Sequence, residues 1–94
     1  MKDELLVRRG TGLLEAEVGG ELVGLNVEQG TCYGFNATAT RVWALIEEPK
    51  LFSDLRDTLM GEYEVDEDTC GRELMDLLKD LEKDGLVILE PAQG

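Results

Sequence analysis

Residues 22–47 read LVGLNVEQGTCYGFNATATRVWALIE, and this stretch decides the fold. Val23, Leu25 and Val27 alternate with small or polar residues, which is the period of a strand. Gln29-Gly30 then turns the chain, with glycine supplying the positive φ that a tight turn needs. Residues 31–35 form the next strand, with Tyr33 and Phe35 on one face and Cys32 and Gly34 on the other. Asn36 is placed to cap a helix, its side chain accepting from otherwise unpaired amides. Ala39, Val42, Trp43 and Ile46 recur at the spacing of one helical face. Pro49 limits that helix near Glu47 or Glu48. Nothing in the stretch resembles bond-making machinery, and an exposed sheet edge followed by a helix points to recognition.

Working outward, Leu14, Ala16 and Val18 alternate with Glu15 and Glu17, so one face of that segment is apolar. Gly19-Gly20 joins it to the Val23 strand as a two-residue hairpin turn. Residues 5–8 add a short strand before the hairpin. On the far side, Ser53 is expected to cap a second helix bearing Leu55 and Leu59, and Gly61 to end it. Asp66 caps a third, longer helix with Glu67 and Asp68 in its first turn, where the helix dipole favours acids. Cys70, Leu74, Leu77, Leu78 and Leu81 make its apolar stripe. Lys83 lies near its end and Gly85 suits the residue just past it. Residues 86–89 form a short apolar tail before Pro91. The order is α+β, a three-stranded antiparallel sheet followed by three helices. The 94 residues are expected to form one domain.

Composition excludes several classes. The net charge is −12, with −9 of it in residues 36–94. Such a field repels nucleic-acid phosphates and anionic lipid. It suits a basic partner, and equally an ordinary well-solvated surface. There is no histidine, so the commonest general base and metal ligand is missing. Cys32 and Cys70 cannot close a zinc site alone and are expected to be free thiols. No phosphate-binding glycine loop or calcium loop occurs. No cofactor or metal is expected. No apolar run approaches a membrane span and no signal-peptide pattern opens the chain, so the expectation is a cytoplasmic protein.

Two constellations stand out. On the third helix, Glu73, Asp76, Asp80 and Asp84 recur at spacings of three and four along one flank of the leucine stripe. They form either a carboxylate row beside an apolar groove or a plain solvated face. The strand at Thr31, Cys32, Tyr33, Gly34 and Phe35 lies at the edge of a three-strand meander. It can accept an added peptide strand, or it can be covered with its aromatics in the core. The pattern alone leaves both pairs of readings open. Trp43 reads as a core residue.

Here a family resemblance adds to the residues. GTCYGFNATATRVWALIEEP and LMDLLKDLEKDGLVIL resemble PqqD-like proteins. Tyr33-Gly34-Phe35-Asn36, with Thr40 and Val42-Trp43, is similar to the family's YxLN…A..IW signature, with Phe35 in place of leucine. The resemblance covers residues 5–90. It implies a RiPP recognition element, a winged helix-turn-helix-like domain that binds the leader of a ribosomally made precursor peptide as an added strand. The implied groove runs between the third strand, at Thr31, Cys32, Tyr33, Gly34 and Phe35, and the third helix, at Glu73, Leu74, Asp76, Leu77 and Asp80. The chain's size resembles the stand-alone elements of lasso-peptide pathways, whose partners are a leader peptidase and an ATP-dependent cyclase. The alternative within the family is a peptide chaperone for a radical S-adenosylmethionine enzyme of pyrroloquinoline quinone biosynthesis. A winged-helix DNA binder is the alternative of another class, and the lack of a basic stripe on the third helix weighs against it. No enzyme activity is expected.

Overall fold

The computed structural model describes residues 4–92. Its elements are β1 (Leu5–Arg9), β2 (Leu13–Val18), β3 (Glu21–Asn26), β4 (Thr31–Gly34), α1 (Ala37–Leu45), β5 (Lys50–Leu51), α2 (Phe52–Tyr63), α3 (Glu67–Lys83) and β6 (Val87–Pro91). β2, β3 and β4 form the expected antiparallel meander, in that order, so β4 is an edge. Together with the three helices this is the expected α+β architecture.

A second sheet, ordered β5-β1-β6, accompanies it. β1 was anticipated as a strand, but it pairs across the chain with β6, Val7 opposite Leu89 and Arg9 opposite Val87. The apolar tail is therefore a strand. Burial of Leu86 and Val87 behind α3 drives it there.

Asn36 and Asp66 cap α1 and α3 as expected, accepting from the amides of Ala39 at 2.8 Å and Thr69 at 2.7 Å. The second helix departs from expectation at both ends. Leu51, not Ser53, is its N-cap, with no side-chain bond. Ser53 lies inside the first turn, where its hydroxyl donates to Glu4 Oε1 at 3.2 Å. Gly61 lies within the helix, which ends instead at Glu64 in the left-handed conformation. α1 stops at Leu45, slightly before the limit that Pro49 sets.

The core lies where the meander, β1, β6 and the three helices converge. Leu55, Leu78, Leu81, Leu86, Val7 and Val42 are fully buried there. Phe35 stands edge-on to Trp43, ring centres 5.2 Å apart, and Tyr33 edge-on to Phe35 at 5.4 Å, an arrangement that suits their quadrupoles. Trp43 donates from Nε1 to Glu15 at 2.7 Å, while the Arg9 guanidinium lies 4.2 Å from its ring centre and donates to its carbonyl. That cluster joins β1, β2 and α1.

Two outcomes follow. Gly85, just past α3, has φ +79°, and a β-carbon there would come within 2.5 Å of the Asn26 side-chain nitrogen. Gly85→Ala is expected to lower stability by more than about 1 kcal/mol, read by urea unfolding. Hydrogen bonds from Thr69 hold the Asp66 carboxyl below the usual carboxylate range, and a bond from Arg41 does the same for Glu62. A depressed carboxylate contributes stability above its unfolded value, about 4, and loses it as pH falls through the folded value. Stability should therefore drop at acid pH, and Asp66→Asn should flatten part of that slope in pH-dependent denaturant titrations.

Candidate functional site

β4 is the open edge of the meander, and its first residue, Thr31, bonds the Asp84 carbonyl at the end of α3. Phe35 N–H donates to Leu22 O at 2.9 Å, which makes that pair a hydrogen-bonded one. Such pairs alternate along an antiparallel ladder. Tyr33 with Gly24 and Thr31 with Asn26 are then the next two, and the backbone groups of Cys32 and Gly34 point away from β3. Space beside Gly34 is open. The edge therefore offers two residues' worth of unpaired donors and acceptors.

Alternation also sorts the side chains. Thr31 and Tyr33 share the inner face with Leu22, Gly24 and Asn26, and Tyr33 packs against the core. Phe35, 4% exposed, belongs to the core outright. Cys32 and Gly34 are on the outer face and exposed. On that outer face Leu14 and Val18 are 58% and 66% exposed, so the apolar side of β2 looks to solvent while Leu13 turns inward.

From α3, Glu73, Leu74 and Leu77 line a cavity of about 390 Å³. Cys70 lies deeper in its wall, and Leu59, Tyr63 and Val65 close the far side. Asn36 and Thr38, just past the end of β4, form its near rim. Tyr33 has its phenol raised above the ordinary range, first by burial and then by the charges of Asp80 and Asp84. Those two carboxylates therefore lie within electrostatic reach of Tyr33. Asp76 is exposed and lies further round the helix toward solvent. Glu73, Leu74 and Leu77 thus line the cavity with Asn36, Tyr63 and Val65, while Thr31 bonds the Asp84 carbonyl and Tyr33 lies in the field of Asp80 and Asp84. The apolar residues between α2 and α3 had no signal in the sequence, because they become neighbours only when the helices fold back.

Arg72, Lys79 and Lys83 share the solvent side of α3, but Asp68 and Asp76 are interleaved with them, so no continuous basic stripe forms. Among the described residues no group of three His, Cys, Asp or Glu is placed to hold a metal ion. No helix there is long and apolar enough to cross a membrane.

The family of coenzyme PQQ synthesis protein D (PqqD) matches residues 21–87. This chain belongs to the PqqD family. No curated protein matches. Among solved structures, "TbiB1 in Complex with the TbiA(beta) Leader Peptide" is 32% identical, with a TM-score of 0.75 over 93% of this chain and 99% of that one. "Lasso peptide synthetase B1 complexed with the leader peptide" is 21% identical, with a TM-score of 0.70 over 87% of this chain and 96% of that one, a likeness of fold.

The two thiols of this PqqD-family chain should differ sharply. Cys32 is exposed, while Cys70 is buried and its thiol is pushed up by that burial. The thiolate is the reactive form. A disulfide reagent at neutral pH should therefore titrate Cys32 quickly and Cys70 only on unfolding, and Cys32→Ser should remove the fast phase.

Proposed function

We propose that this chain is a recognition element that binds the leader segment of a ribosomally made precursor peptide and presents it to separate modifying enzymes, as in lasso-peptide biosynthesis. The observation that carries this is the open β4 edge, with the backbone of Cys32 and Gly34 turned away from β3, the end of α3 bonded to Thr31 at its base and a cavity beside α3 just past its other end. A strand added there gains main-chain hydrogen bonds, and side-chain pockets add selectivity. The 32% identical relative, captured with a leader peptide, supports the same occupant. Glu73, Leu74, Leu77 and Asp80 face the incoming strand, and Thr31, Cys32, Tyr33, Gly34 and Phe35 supply the edge and its support. Asp76 adds charge at the margin.

The domain's contribution is affinity and local concentration rather than bond making. A leader peptidase and an ATP-dependent cyclase are the partners that act on the held peptide. The chain acts as a single module over residues 1–94, and its place of action is the cytoplasm.

Gly34→Pro tests the edge directly. It removes an outward N–H and leaves the β3 ladder intact, which edge strands tolerate. It should abolish leader binding in fluorescence polarisation while the fold persists. Hydrogen exchange in the wild type should slow on leader binding at Cys32 and Gly34; protection confined to α2 would overturn strand addition at β4.

The acidic flank gives a second test. Exposed ion pairs contribute about 0–1 kcal/mol each, so single neutralisations should be mild. Asp76→Lys with Asp80→Lys should weaken binding of a basic leader at low salt and reduce its salt dependence. Unchanged affinity would assign these carboxylates to solvation alone.

A further inference from the structure

The groove is not equally wide along its length. Past the Asn36 end of β4, the cavity of about 390 Å³ opens between the start of α1, at Asn36 and Thr38, and α3, at Glu73, Leu74 and Leu77. At the other end the two are tied together. Thr31 Oγ1 donates to the carbonyl of Asp84 at 2.5 Å, and Asn26 Nδ2 donates to the carbonyl of Gly85 at 2.7 Å. These carbonyls lie at the C-terminal end of α3, where the helix has no partners of its own to offer.

Asn26 is built for the task. Among the described residues it is the buried polar one, 4% exposed. Its Oδ1 meanwhile accepts from the amide of Gln29 at 2.9 Å and shapes the turn into β4. One side chain thus fixes the β3–β4 turn and the end of α3 together. The fit is close, since Gly85 has room for no β-carbon against Asn26 and Gln29, and Gly10 has none against the Gly85 carbonyl.

We propose that Asn26 and Thr31 are positioning residues for peptide binding: they bolt the C-terminal end of α3 to the base of β4, so that the groove is a jaw closed at Thr31 and open at Asn36. This rests on the reading of β4 and α3 as the leader site. The jaw sets which part of the ligand meets which wall. The Thr31–Asp84 bond leaves no passage at the closed end, and bulky apolar side chains enter at the open end, at the cavity that Leu77 and Val65 line. Pre-setting the spacing also spares the complex the ordering that a loose α3 would need on binding.

Asn26 is too buried to touch a ligand, so an effect of its substitution on affinity must act through the groove. Thr31→Val keeps shape and removes the donor; Thr31→Ser keeps the donor. Asn26→Asp keeps the acceptor for Gln29 and loses the donor for Gly85. Leu55→Val is a control that lowers stability away from the groove. Affinity for the cognate leader is measured by fluorescence polarisation beside the melting temperature of each variant.

Thr31→Val is expected to weaken binding about three- to tenfold, the range for one lost hydrogen bond, with Thr31→Ser near wild type. Asn26→Asp should weaken it at least as much, and Leu55→Val should leave affinity unchanged. Wild-type affinity in Thr31→Val, an equal loss in Thr31→Ser, or an equal loss in the control would each overturn the jaw while leaving the leader site standing. Should Asn26→Asp fail to fold, the Thr31 pair still decides. Absence of leader binding by the wild-type protein would instead sink the site itself, and the jaw with it.

Discussion

The bond from Asn26 to the Gly85 carbonyl is the joint on which the two halves of this structure meet. β3 supplies the donor and the end of α3 supplies the acceptor. The amide of Gly10, just past β1, bonds the neighbouring Leu86 carbonyl at 2.9 Å. Three segments distant in sequence are thereby fixed within one small volume. A buried amide left without its partner costs about 1–3 kcal/mol, which makes misalignment of any one of them unfavourable. The position of β4 relative to α3, and with it the groove, depends on that alignment.

Stability and recognition are divided between different faces. The core is aliphatic and aromatic, and the Arg9–Glu15–Trp43 cluster closes its edge. The groove instead mixes open backbone, carboxylates and a few apolar walls. Backbone hydrogen bonds tolerate many sequences, whereas side-chain pockets select by shape. Such a division lets the scaffold stay constant while the groove-lining side chains change partner.

Much of this was legible in the chain itself. The meander followed from alternation around Gly19-Gly20 and Gln29-Gly30, and the caps at Asn36 and Asp66 from their own chemistry. The second sheet was not, because Val7 and Leu89 are far apart in sequence and each strand alone is only a short apolar run. Ser53 misled for a local reason: its hydroxyl found a partner in Glu4, and Leu51 was already extended as part of β5. For the site, the acidic flank of α3 and the β4 strand were each ambiguous alone, and the PqqD-like pattern joined them. Which of their side chains are buried, as with Phe35, is a property of packing that alternation cannot settle.

The outward face of the meander carries a further consequence. Leu14 and Val18 are bare there, on the same face of the sheet as exposed Cys32. At neutral pH the −12 charge opposes stacking of identical copies on it. That protection is electrostatic, so it fades with added salt and vanishes near the isoelectric point of about 4.2. Colloidal behaviour, not folding, then becomes the first casualty of acidification: the chain's acidity works as a built-in dispersant for a surface that its own fold leaves oily.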